Sequence, residues 1–179
     1  MATIPATQTF LAGEKVTASK LTAATKTPLD FLFNPPRASV FITAGVPVST
    51  GVTTLIPFDG ESWDTDSMHS TTTNPSRVII NTPGQYLVSV FARFPVNATG
   101  YRQLTLRANA AGVATLGSAI TAFTAPAVSG TSTFIGRTFE LACNAGDYFE
   151  LFAYHTAGTT LNLDFGTTTG MQFRWIGNL

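Results

Sequence analysis

Two strand-length runs in this chain are apolar on both faces, and few folds accommodate that. The first, RVIINTPGQYLVSVFARF, spans 77–94, and the second, LACNAGDYFELFAY, spans 141–154. Each is split by a Gly-containing turn. A strand covered on one side only should alternate apolar and polar residues. In the first run Tyr86, Val88, Val90 and Ala92 form one face, and Leu87, Ser89, Phe91 and Arg93 the other. In the second, Phe149, Leu151 and Ala153 oppose Tyr148, Glu150, Phe152 and Tyr154. One face of each run fills the protein's own core. The other needs a second cover, and another subunit is the simplest one. The expectation is that Leu87, Phe91, Tyr148, Phe152 and Tyr154 lie in or beside a subunit interface, where aromatic groups pack efficiently once desolvated.

Charge usage points the same way. Charged residues make up 11% of the chain, against roughly 25% in an ordinary soluble domain. A monomer so poor in charge has few groups to keep it in solution, so much of its surface should be buried in an assembly. Lys plus Arg and Asp plus Glu are 10 each, so no net field draws in nucleic acid or an anionic membrane. Arg93, Arg102 and Arg107 are dispersed among apolar neighbours rather than gathered into a patch. The single cysteine, Cys143, rules out an intrachain disulfide framework and reads as a small buried group. The start MATIPATQTF has neither the basic residues nor the apolar stretch of a signal peptide, and no apolar run reaches membrane-span length. The expected setting is a cytoplasm, with the protein soluble or built into a particle assembled there.

The chain divides into two regions: 1–37 as an arm and 38–179 as one β domain. In the arm, Thr17 precedes ASKLTAATK, a short helix candidate with Thr17 as its N-cap. Pro28 opens a second helical turn, LDFLFN, which Pro35 and Pro36 terminate. Phe10, Leu11, Val16, Leu21, Leu29, Phe31, Leu32 and Phe33 are too many apolar groups for a free linker and too few for a core. They predict an arm that docks onto a neighbouring protein. From Ala38 onward, short strands are predicted at 39–43, 53–58, 77–81, 85–94, 102–108, 133–141, 147–155, 159–164 and 171–176, parted by Gly-, Pro- and Asn-rich turns. That spacing describes an all-β antiparallel two-sheet sandwich or jelly roll.

The motif order carries a resemblance. Gly84 and Tyr86 open a Gly-x-Tyr-x-Val-x-Val strand, and Gly146, Asp147, Phe149 and Leu151 make a Gly-Asp-x-Phe-x-Leu strand. A closing strand follows at Phe173, Arg174, Trp175, Ile176 and Gly177. Residues 38–179 thereby resemble the C1q-like branch of the C1q/tumour-necrosis-factor jelly rolls, although Val88 and Val90 replace that family's aromatics. In the arm, Gly13-Glu14-Lys15-Val16-Thr17-Ala18 through Leu21 resembles the leader on many structural proteins of tailed bacteriophages, especially those infecting actinobacteria. Jointly the resemblances imply a homotrimeric jelly roll fixed by its arm to other virion proteins, as a capsid decoration, head fibre or minor tail protein. The alternative is a host-adsorption module gripping cell-surface polysaccharide at the tail. The implied location is the virion.

Catalytic chemistry finds little footing. The two histidines, His69 and His155, accompany no nucleophile elbow, P-loop or HExxH segment. Glu61, Asp64 and Asp66 cluster in sequence, which does not place carboxylates across a substrate. Asp64, Asp66 and His69 are close enough in sequence to hold a metal, but such residues in a β loop more often make turns. The reading is a protein without enzymatic activity, cofactor or metal. A sugar site is the remaining option, with Trp63 and Tyr101 as platforms and Asp64, Asp66, Asn97 and Arg102 bonding hydroxyls.

Overall fold

The computed structural model describes residues 2–179. Helix α1 covers Ala18–Ala24 and α2 covers Lys26–Phe33. The Thr17 hydroxyl accepts the Lys20 N–H at 3.2 Å, the N-cap expected from its position before ASKL. Pro28 falls in the first turn of α2, where its missing N–H removes no intrahelical bond. The Pro35–Pro36 pair follows the last turn, and strand β1, Arg37–Ile42, begins directly after it.

The remaining strands are β2 (Pro47–Val48), β3 (Thr54–Leu55), β4 (Gly60–Asp64), β5 (Arg77–Ile79), β6 (Gly84–Phe94), β7 (Tyr101–Ala108), β8 (Ser118–Pro126), β9 (Thr133–Cys143), β10 (Tyr148–His155), β11 (Leu161–Asn162) and β12 (Gly166–Gly177). They form a five-stranded sheet in the order β4-β1-β12-β6-β9. A second sheet runs β3-β10-β7-β8, with β5 also on β10, and β2 with β11 makes a small ribbon. Every pairing is antiparallel. No helix among the described residues beyond Arg37 interrupts this all-β, two-sheet jelly-roll arrangement.

The inner faces meet as the alternation requires. Tyr86, Val88 and Val90 on β6, Met171 and Phe173 on β12, and Val40 and Ile42 on β1 face Leu104, Leu106, Phe149 and Leu151 of the second sheet, all buried. Register defines two ends. The arm end holds Trp175, Tyr86 and Cys143, whereas the far end holds Phe94 and Thr133. At the arm end the Phe31 ring of α2 meets Trp175 edge-on at 4.8 Å.

Three strands were not expected: β2, β4 and β8. Strand β8, SAITAFTAP, lies at the margin of the second sheet, and its residues are all exposed or half-exposed. An Ala- and Thr-rich edge strand has no apolar–polar contrast to reveal it. Strand β4, GESWD, is likewise an edge.

Candidate functional site

The outer faces of the two sheets have opposite fates. On the second sheet, Tyr148, Glu150, Phe152 and Tyr154 of β10 point away from the core. Phe152 is nevertheless only 2% exposed. It lies opposite Leu55 of β3 and Thr105 of β7. The segment 109–117 folds back over this face. The Gly112 N–H donates to Glu150 Oε2 at 2.8 Å and the Ala111 N–H to the Tyr148 hydroxyl at 3.1 Å. Glu150 is fully buried and is completed by Arg77 Nε at 3.0 Å and the Ser76 hydroxyl at 3.3 Å. The Arg77 guanidinium also stands 4.3 Å over the Tyr148 ring. The expectation is corrected for Phe152, which the chain buries by itself; Tyr148 stays half-buried under the same segment. Tyr154 is half-buried beside Tyr101, with ring centroids 5.8 Å apart.

On the five-stranded sheet the outer face stays open. One row crosses all five strands: Gly60 on β4, Phe41 on β1, Gly170 on β12, Phe91 on β6 and Gly136 on β9. Glycine and phenylalanine alternate for a steric reason. A Cβ on Gly60 would sit 2.5 Å from the Phe41 ring, and one on Gly136 would sit 3.0 Å from Phe91 Cβ. A Cβ on Gly170 would meet the Val40 carbonyl oxygen at 2.3 Å and the Phe91 ring at 3.3 Å. The rings lie against the glycine backbone, so the row is low and apolar. Phe134, 59% exposed, stacks on Phe91 at 6.2 Å. One row toward the arm come Trp63, Ser39, Gln172, Ser89 and Thr138, with the Ser89 and Thr138 hydroxyls 2.8 Å apart. The next row is Arg37, Arg174, Leu87 and Glu140. A shallow recess of about 470 Å³ lies between Phe91, Phe134, Thr138 and Gln172.

Below this face sits the arm. Phe31 is the one predicted arm anchor buried against the chain itself, on Trp175. Phe10, Leu11, Val16, Leu21, Leu32 and Phe33 remain exposed, Phe33 at 81%. Leu32 borders a recess of about 280 Å³ whose other walls are Leu87, Arg174, Trp175 and Ile176, so the arm adjoins the open face.

The residues expected to contact a sugar do not converge. Trp63, Asp64 and Asp66 belong to β4 and the loop after it, at the arm side, whereas Asn97, Tyr101 and Arg102 follow β6 at the far end. From the level of Asp64, beside Ala38 and Phe173, to that of Phe94 is about 20 Å at the usual ~3.3 Å rise per residue. Arg102 is fully buried and unavailable to a sugar. Its guanidinium donates to the Asn97 and Thr99 carbonyls at 2.8 and 3.0 Å and clamps the 95–101 loop. Asp64 accepts the Asp66 and His69 N–H groups at 3.1 and 2.9 Å. Asp66 is buried and accepts the Thr82 hydroxyl at 2.8 Å and the Ala2 N–H. His69 reaches Glu61 at 2.7 Å and the Pro75 carbonyl at 3.0 Å. These polar groups organise the loop, as polar residues in β turns commonly do. Among the described residues no group of three His, Cys, Asp or Glu is arranged to hold a metal ion.

His155 and Cys143 are interior groups. His155 is buried, its Nε2 facing the Val48 carbonyl at 2.8 Å and its Nδ1 facing the Ala157 N–H at 3.1 Å. Burial pushes its pKa down and the Arg102 charge adds to this, against the opposing pull of the Val48 carbonyl. Burial, with a contribution from Asp147, pushes the Cys143 thiol up to about 12, leaving it protonated and inert.

Comparison with solved structures places this architecture. The globular domain of zebrafish complement 1qA superposes with a TM-score of 0.56 at 13% identity, over 80% of this chain and 99% of that one. Eiger TNF from S. frugiperda gives 0.57 at 20% identity, over 80% and 95%. Murine APRIL gives 0.55 at 13%, over 78% and 99%. The fold is a C1q/TNF-like jelly roll. No protein-family model and no curated protein sequence matches the chain. At these identities the likeness concerns the backbone alone, so the open face and the arm must be read from this chain's own residues.

Proposed function

We propose that this chain is a non-enzymatic structural protein of a bacteriophage virion, a homotrimer held to the particle by its arm and displaying the jelly roll outward. The observation that carries the reading is the uncovered Gly60–Phe41–Gly170–Phe91–Gly136 row, extended by exposed Phe134, Leu87 and Ile176. A contiguous apolar face on a jelly roll marks an interaction surface. A flat one built from residues spread across a whole sheet suits another rigid sheet better than a small ligand. The arm supports attachment: its apolar groups stay exposed although the chain has a core beside them. Their ordering is offset when a partner covers them. The virion assignment rests on the likeness of residues 13–21 to phage structural leaders.

Sedimentation velocity tests the assembly. The wild-type chain should run as a trimer, and Phe91→Asp should run as a folded monomer. An intact Phe91→Asp trimer removes this geometry. For attachment, a chain lacking residues 1–36 should still trimerise and should be missing from purified particles, and normal incorporation would refute the arm's role.

One observation favours host adsorption as a second reading. Tyr101 and Tyr154 form an accessible aromatic pair at the end opposite the arm, which an outward-pointing jelly roll would present to a surface. Loops and strand ends on a rigid scaffold are common carriers of such sites. Retention of the trimer on host cell-wall polysaccharide, lost in Tyr101→Ala/Tyr154→Ala, would support it. A trimer that passes through unretained leaves the purely structural reading.

A further inference from the structure

In a chain of ten acidic and ten basic residues, nearly every charge has an internal partner. Among the described residues every Asp and Glu side chain except Glu140 accepts a hydrogen bond or ion pair from within the chain. On the basic side Arg174 has no such partner, nor has Lys15 in the arm, and the Nε of Arg37 is buried without an acceptor. Glu140, Arg174 and Arg37 share one row of the open face, in the order Arg37 on β1, Arg174 on β12, Leu87 on β6 and Glu140 on β9. The acid thus stands at the sheet margin, and the two guanidiniums stand beyond Leu87. Two strand spacings of about 4.8 Å separate Arg174 from Glu140.

A closed ring of identical chains joins two different patches of the same surface at each contact. An acid on one margin and bases toward the other satisfy that requirement, because each copy carries both halves of a complementary pair. We infer that Glu140 on β9 of one protomer pairs with Arg174 of the next, with Arg37 beside it. The inference rests on the trimeric reading above and deepens it. The occupant of this face is then a second copy of the chain rather than an unrelated protein, since the complementarity is internal to the sequence. The division of labour follows from position. The Gly–Phe row lies four residues along β6 from Leu87, about 13 Å away, and supplies apolar contact. The charged row fixes which margin meets which, as interfacial charge pairs commonly set orientation. An Arg–carboxylate pair is suited to this because its geometry is directional.

The test is charge reversal read by sedimentation velocity over a concentration series at low and high salt, with circular dichroism as the check on folding. Glu140→Arg and Arg174→Glu should each raise the concentration for half-assembly by about tenfold or more while leaving the fold intact. The double reversal should restore assembly to within about threefold of wild type. If both single variants assemble like wild type, or the double variant assembles no better than the singles, the pairing is overturned while the trimer stands. A wild-type chain that remains monomeric at all concentrations overturns both the pairing and the trimeric reading.

Discussion

The outer faces of the two sheets start from similar sequence and end differently. Strand β6 carries Leu87 and Phe91 outward; strand β10 carries Tyr148, Phe152 and Tyr154 outward. On β10 the 109–117 segment closes the face and delivers a backbone donor to buried Glu150. On β6 no loop or strand closes over the half-buried Phe91 ring, which only the exposed Phe134 side chain stacks on, and the neighbouring strands place glycines beside it. Surplus apolar pattern on a strand therefore signals a second cover without saying whether the cover is the chain itself or something else. A buried carboxylate with all its partners inside the chain marks the closed case, and an acid with none marks the open one.

The sharpest way to break this contrast is to put the same charge on each face. Phe152→Asp buries an unpaired carboxylate and should unfold the domain or cost more than about 4 kcal/mol in urea denaturation. Phe91→Asp, at a half-buried position, should cost about 1–2 kcal/mol in the same measurement and act mainly on assembly. Equal losses of stability would erase the distinction between the faces.

Next in size is the ion pair under the 109–117 segment. Glu150→Ala leaves the Arg77 guanidinium and the Gly112 N–H without their acceptor, and should cost about 3 kcal/mol. Hydrogen exchange at 110–116 should accelerate with it. An unchanged exchange rate there would mean that Glu150 does not hold the segment down.

Gly60→Ala tests the flatness of the open row. The new Cβ collides with the Phe41 ring, which must swing outward. The folded monomer should lose about 1–2 kcal/mol, and trimerisation should weaken because the ring no longer lies flat. Stability falling without any change in assembly would show that Phe41 is not part of the contact.

The smallest effect concerns the far end. The pKa of His155 is lower in the folded chain than its ordinary value, so between the two the unfolded chain binds more protons. Its contribution is complete above about pH 6.5 and declines as pH falls through that value toward the folded pKa. The melting temperature should drop between pH 7.5 and 5. His155→Gln should remove the histidine's share of that slope, and an identical slope in the variant would assign it to other groups.

Much of the fold was legible in advance. Alternation in β6 and β10 reports which side chains share a face, because side-chain direction in a strand is set locally. The Thr17 cap and the Pro35–Pro36 stop were legible for the same reason. Strand β8 was not, since its Ala and Thr residues on a half-exposed edge carry no contrast. The sugar-site reading joined Trp63 to Tyr101 because both are aromatics in polar loops, and only strand register shows that their loops leave opposite ends. Arg102 looked available because arginine is usually exposed. Its burial depends on the carbonyls of Asn97 and Thr99 turning inward.

Periodicity and turn spacing by themselves determined an all-β sandwich with more apolar surface than one core absorbs. Which surface stayed open was decided by tertiary structure alone. The Gly–Phe row draws one residue from each of five strands spread between Phe41 and Gly170, and the cover over Phe152 comes from a segment some forty residues away, a rough separation in chain terms that no local period spans. Pairing across a sheet joins residues distant in sequence, so their complementarity appears only once the register is set.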